Sequence, residues 1–137
     1  MRDTEKDIQE LIIKAKEVSL QAYAPYSNFR VGAALLTDSG KIYTGCNVEF
    51  SDYLALHAEL NAIGAAVKNG ERNFDSILIY SYCSPPVLPC GSCRQKLFEF
   101  SQLNKKDIKI IVVNDKGEKS KYLLSELLPS GNIPVEK

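Results

Sequence analysis

Two short segments carry residue types that can do chemistry together. His57-Ala58-Glu59 sets an imidazole and a carboxylate two positions apart, and Pro89-Cys90-Gly91-Ser92-Cys93 sets two thiols three positions apart. Two thiolates and one neutral imidazole offset the charge of a Zn²⁺ ion and leave the fourth corner of its tetrahedron open to water. A water in that position gives up a proton near neutral pH. Glu59, so close to His57, can face the open corner without ligating and move the proton. Blander readings stand beside this one. A lone His is most often structural, a Cys-x-x-Cys pair also serves thiol exchange, and Cys46 and Cys83 could complete a closed four-cysteine site in a non-catalytic zinc module. Taken singly, Cys46 and Cys83 read as small buried hydrophobes.

The elements around these segments place both at helix starts. Apolar residues Ile8, Leu11, Ile12, Ala15 and Val18 predict an amphipathic helix over 4–22, capped by Thr4 and stopped at Ala24-Pro25. Runs at 29–36 and 41–47 flank Asp38-Ser39-Gly40 and predict a hairpin. The Ala- and Leu-rich stretch 57–69 ends at Asn69-Gly70 as a helix does, and 76–81 follows as a strand. Residues 90–100 predict a second core helix and 108–113 a buried β-branched strand. Asn114-Asp115-Lys116-Gly117 then turns the chain into a short edge strand at 119–123, with Ser125 as cap of a brief last helix. Strands alternating with helices predict an α/β layer fold, and the early hairpin makes its sheet mixed.

Composition narrows the partners. At 137 residues and 45% hydrophobic, the chain suits one domain, 1–137, with a real core. Lys plus Arg and Asp plus Glu number 17 each, and Trp is absent, so a basic channel with stacking platforms for nucleic acid is not expected. A small neutral substrate fits better. No apolar run reaches bilayer length, and the polar start after Met1 points to a cytoplasmic protein with reduced cysteines and no membrane partner.

The order His-x-Glu then Pro-Cys-x-x-Cys is the general signature of zinc-dependent nucleobase deaminases. Three segments extend the match: Pro25-Tyr26-Ser27-Asn28-Phe29-Arg30-Val31-Gly32-Ala33-Ala34-Leu35, Gly45-Cys46-Asn47-Val48-Glu49 and Pro89-Cys90-Gly91-Ser92-Cys93-Arg94-Gln95. Over nearly its full length the chain resembles the small cytidine deaminases and their relative blasticidin S deaminase. The resemblance implies a three-layer α/β/α fold with a five-stranded mixed sheet, often a homotetramer with active sites at subunit contacts. It implies His57, Cys90 and Cys93 as zinc ligands and Glu59 as proton shuttle. Phe29 then walls the pyrimidine, and Asn47 and Glu49 bond sugar hydroxyls. The reaction expected is hydrolytic deamination of cytidine or deoxycytidine in pyrimidine salvage.

This chain departs from the small tetrameric enzymes in ways that bear on substrate. Their first ligand is usually Cys and their catalytic Glu is usually followed by Arg, where this chain has His57 and Leu60. The two changes belong together: a third thiolate adds a negative charge that an Arg balances, and an imidazole removes the need. Leu60 and the ending Glu126-Leu127-Leu128-Pro129-Ser130-Gly131 are more like blasticidin S deaminase, whereas the carboxylate of Glu49 suits a sugar with a 3'-hydroxyl. The stretch between Glu49 and His57 is also slightly short for a cytidine deaminase.

Overall fold

A computed structural model describes residues 4–130. Its elements run α1 (Glu5–Ser19), β1 (Gly32–Thr37), β2 (Ile42–Cys46), α2 (Ala58–Lys68), β3 (Phe74–Tyr80), α3 (Gly91–Asn104), β4 (Lys109–Val113), β5 (Lys119–Leu123) and α4 (Leu124–Leu127). The five strands form one sheet in the order β2-β1-β3-β4-β5. β1 is antiparallel to both its neighbours, β4 runs parallel to β3, and β5 returns antiparallel at the edge. The expected mixed α/β sheet is present.

Alternation along the strands explains the layering. Side chains two apart share a face, so Ala33, Leu35, Ile77, Ile79, Ile110 and Val112 meet α2 and α3 through Ala58, Ala62, Ile63, Ala66 and Leu97. Ala34, Leu36, Leu78, Ile111 and Val113 meet α1 through Ile8, Leu11 and Ala15. Both faces of β1 are therefore covered, and all six of its residues are buried. Thr4 caps α1, its hydroxyl oxygen accepting from the Asp7 N–H at 3.1 Å. Gly40 completes the β1–β2 turn with φ 92°, a left-handed angle that favours glycine.

Three local expectations are corrected. Residues 29–31 precede β1 rather than joining it: the Asn47 amide takes the Val31 N–H and Phe29 O, and the Ser27 hydroxyl takes the Phe29 N–H. α3 runs on to Asn104 and closes on Lys105 in a left-handed turn, φ 52°. Ser125 does not cap α4: it lies within the helix and donates to Asp107 Oδ2 at 2.6 Å, while Leu123 holds the cap position and its N–H donates to Glu126 Oε1 at 2.7 Å. Tertiary partners outbid the local propensity of a serine.

Candidate active site

The N-terminal ends of α2 and α3 meet on the same side of the sheet. His57 is the N-cap residue of α2 and Cys90 that of α3, and neither side chain caps its own helix with a hydrogen bond. Both are left to face each other. His57 Nδ1 lies 3.3 Å from Cys90 Sγ and 3.3 Å from Cys93 Sγ, and the three donor atoms all lie within 4.8 Å of one another. Zinc bonds of about 2.3 Å to sulfur and about 2.0–2.1 Å to nitrogen at a tetrahedral angle require nitrogen–sulfur separations of about 3.5 Å. The donor set therefore fits a zinc ion in both chemistry and spacing. Among the described residues this is the group that could hold a metal, and Cys46 and Cys83 lie outside it, so the closed four-cysteine alternative is not formed.

Backbone pairing fixes His57. Val48 and Leu56 exchange two N–H to carbonyl bonds at 2.9 and 2.8 Å, holding the residue before His57 against the chain that leaves β2. Asn61 donates to Cys46 O at 2.7 Å and ties the first turn of α2 to the end of that strand. Gly45 permits the close approach: a Cβ there would stand 2.4 Å from Ala62 N and 2.5 Å from Ala58 O. Arg94 steadies the other helix, donating from Nε to Pro89 O at 2.7 Å and from Nη1 to Leu127 O at 2.9 Å. Its place after Cys93 was visible in the sequence, but its partners come from the fold.

A cavity of about 320 Å³ opens beside these donors. His57, Glu59 and Cys90 line it together with Phe29, Asn47 and Glu49, and Val31, Val87 and Leu88 add apolar wall. Cys93 is fully buried beneath it. All seven residues singled out in the sequence are thus brought to one place. Glu59 is only 6% exposed, and that burial pushes its carboxyl above the ordinary range, against hydrogen bonds from its own backbone and from the Cys93 thiol. The Cys93 thiol is likewise pushed up, first by burial and then by Glu59 and Cys90 nearby.

The outer residues are held by the chain itself. Asn47 accepts from the Val31 N–H at 2.9 Å and donates to Phe29 O at 2.8 Å. Glu49 Oε1 accepts from the N–H groups of Tyr26 and Ser27 at 3.0 and 3.1 Å, and Oε2 accepts from the Ser27 hydroxyl. The Phe29 ring meets Tyr82 edge-on, with centroids 5.3 Å apart at 88°. Ser27 lines the cavity and was given no role from the sequence, although the Tyr26-Ser27 dipeptide ahead of Phe29 was the available signal; Tyr82 buttresses the Phe29 ring without lining the cavity.

Comparison with known proteins agrees with this geometry. The family described as the cytidine and deoxycytidylate deaminase zinc-binding region matches residues 5–108. Cytidine deaminase of Sporosarcina psychrophila is 40% identical over 124 residues, 90% of this chain and 89% of that one. The Halalkalibacterium halodurans cytidine deaminase is also 40% identical over 124 residues, covering 90% and 92%. Among solved structures, cytidine deaminase of Burkholderia pseudomallei superimposes with a TM-score of 0.83 at 38% identity, covering 90% of this chain and 98% of that one. The Mycobacterium tuberculosis cytidine deaminase gives 0.75 at 34% identity, covering 91% and 96%. These likenesses favour cytidine deaminase over the blasticidin S deaminase features of Leu60 and the tail. With two helix starts converging on one histidine and two cysteines, and with the family model spanning both, the chain belongs to the cytidine and deoxycytidylate deaminase zinc-binding family.

Proposed function

We propose that the protein hydrolyses the 4-amino group of cytidine or deoxycytidine, releasing ammonia and leaving the uracil nucleoside. The observation that carries this is the buried Glu59 carboxyl beside the His57, Cys90 and Cys93 donors at a nucleoside-sized cavity. Zinc, when bound by those three side chains, lowers the pKa of the attacking water and supplies the nucleophile at neutral pH. Glu59 accepts the water's proton on a carboxylate oxygen and delivers it to ring N3, then takes the proton of the new C4 hydroxyl and gives it to the amino group, which leaves as ammonia as the C4–N bond breaks and the C4 carbonyl forms. Burial pushes its carboxyl above the ordinary range, which makes the carboxylate a stronger base for the water's proton. Phe29 packs on the pyrimidine, and the apolar wall of Val31, Val87 and Leu88 keeps bulk water from the base.

At the sugar end, Asn47 and Glu49 bond hydroxyls. Asn47 has a second amide N–H beyond the one given to Phe29 O, and Glu49 has acceptor capacity beyond its three bonds to Tyr26 and Ser27. We place this activity in a single deaminase domain over 1–137, in cytoplasmic pyrimidine salvage, with a homotetramer as the assembly that the family resemblance suggests. Among the described residues no helix is long and apolar enough to cross a membrane. Ammonia release from cytidine that disappears on chelation and returns with added zinc is the expected result; chelator-resistant turnover would contradict the metal's role.

A further inference from the structure

We propose that Ser27 is a positioning residue for substrate, its hydroxyl locking the Glu49 carboxylate and the Phe29 wall into one geometry. This rests on the reading above, in which Phe29 and Glu49 contact the nucleoside. The Ser27 hydroxyl donates to Glu49 Oε2 and accepts from the Phe29 backbone N–H at 3.0 Å. A hydroxyl does both jobs with one atom. Glu49 Oε1 is already bound by two backbone N–H groups, so the Ser27 side chain is what turns the second oxygen.

The turn needs such a tie. Asn28, between Ser27 and Phe29, has φ 59°, a left-handed conformation that neighbouring contacts must hold for a residue with a side chain. On its far side, Asn28 O accepts from the Tyr82 hydroxyl at 3.2 Å and Phe29 O accepts from Asn47 at 2.8 Å. Those bonds fix the carbonyls of the turn, and Ser27 fixes the N–H of Phe29 and joins it to the sugar end. Glu49 sits 22 residues from Ser27 in sequence, and this bond adds, to the backbone ties from Tyr26 and Ser27, a single side-chain atom that touches both the carboxylate and the Phe29 N–H. The same bond is the leading reason the Glu49 carboxyl titrates below its ordinary range.

The test uses the zinc-loaded full chain as wild type, Ser27→Ala and Ser27→Thr. Steady-state kinetics on cytidine are paired with zinc content, thermal midpoint and a ¹³C NMR titration of the Glu49 carboxyl. Ser27→Ala should raise KM about tenfold with kcat within about threefold, as expected for loss of a charge-assisted bond that orients substrate without touching the reacting atoms. The Glu49 midpoint should move up toward the usual carboxylate range, and Ser27→Thr, which keeps the hydroxyl, should restore both. An unchanged KM overturns the proposal, as does a fall in kcat at constant KM, a KM defect that threonine shares, or loss of zinc and thermal midpoint in step with KM. If wild type fails to turn over cytidine, the functional reading falls, and the Glu49 titration, which needs no turnover, still decides the Ser27 link.

Discussion

His57 Nδ1 and Cys93 Sγ stand 3.3 Å apart although 36 residues separate them. Cys93 sits three residues into α3 with its side chain wholly buried, so its sulfur reaches His57 from inside the protein rather than from the cavity. Removing it would cost a donor of the proposed zinc site and a packed side chain together. Cys93→Ala should bind zinc far more weakly and melt lower, because the metal joins the starts of α2 and α3. Metal analysis and thermal melting with and without chelator check this: chelator should lower the wild-type midpoint and leave that of Cys93→Ala nearly unmoved. Equal zinc content in the two proteins would remove Cys93 from the ligand set.

Zinc affinity should rise with pH. The Cys93 thiol is pushed above its ordinary range by burial and by Glu59 and Cys90, so in the metal-free protein it is protonated at neutral pH, and zinc must displace that proton. Raising the pH weakens the competition. Competition with a chromophoric chelator between about pH 6 and 8 should show affinity increasing at least about tenfold per unit. A flat profile would mean that no thiol proton leaves on binding.

Gly45→Ala should damage the site from a distance. The new Cβ meets the backbone at Ala62 N and Ala58 O, so α2 must move, and overpacking of this kind costs about 1–3 kcal/mol. His57 and Glu59 ride on the first turn of that helix. Calorimetry should show a lower midpoint, and kinetics should show kcat reduced by more than the small loss of folded protein explains. A variant that matches wild type in both would show that α2 tolerates displacement.

Phe29→Ala should raise KM for cytidine by about tenfold or more, given about 1–3 kcal/mol for stacking of one base on an aromatic ring. Tyr82→Phe keeps the edge-on contact at 5.3 Å and loses only the bond to Asn28 O, so its KM should change by less than about threefold. A larger defect in Tyr82→Phe than in Phe29→Ala would reverse the assignment of the aromatic wall.

Much of this was legible in the chain. The spacing of His57, Glu59, Cys90 and Cys93 marked the candidate site that the fold then gathers, and Asp38-Ser39-Gly40 announces the first hairpin, because turns and donor sets make local demands on residue type. The edge strand β5 was readable for the same reason, through the turn that precedes it. What lay outside local reach was partner choice. Ser125 has a good capping side chain but bonds Asp107, 18 residues away, and Phe29 looks like part of a strand until the Asn47 amide takes the bonds around it. The placement of β1 between β2 and β3, which brings the two helix starts together, depends on pairings that periodicity does not encode. The bonds of Ser27 and Arg94 are of the same kind.

Glu59 is proposed to move protons at a zinc site that hydrolyses cytidine. The decisive measurement is the fall in cytidine absorbance, with ammonia release as check, for zinc-loaded wild type and Glu59→Gln at matched metal content. Wild type should turn over steadily, and Glu59→Gln should retain zinc but show a kcat lower by about three orders of magnitude or more, as expected when proton help is lost at more than one step. Near-normal turnover by zinc-loaded Glu59→Gln would contradict it.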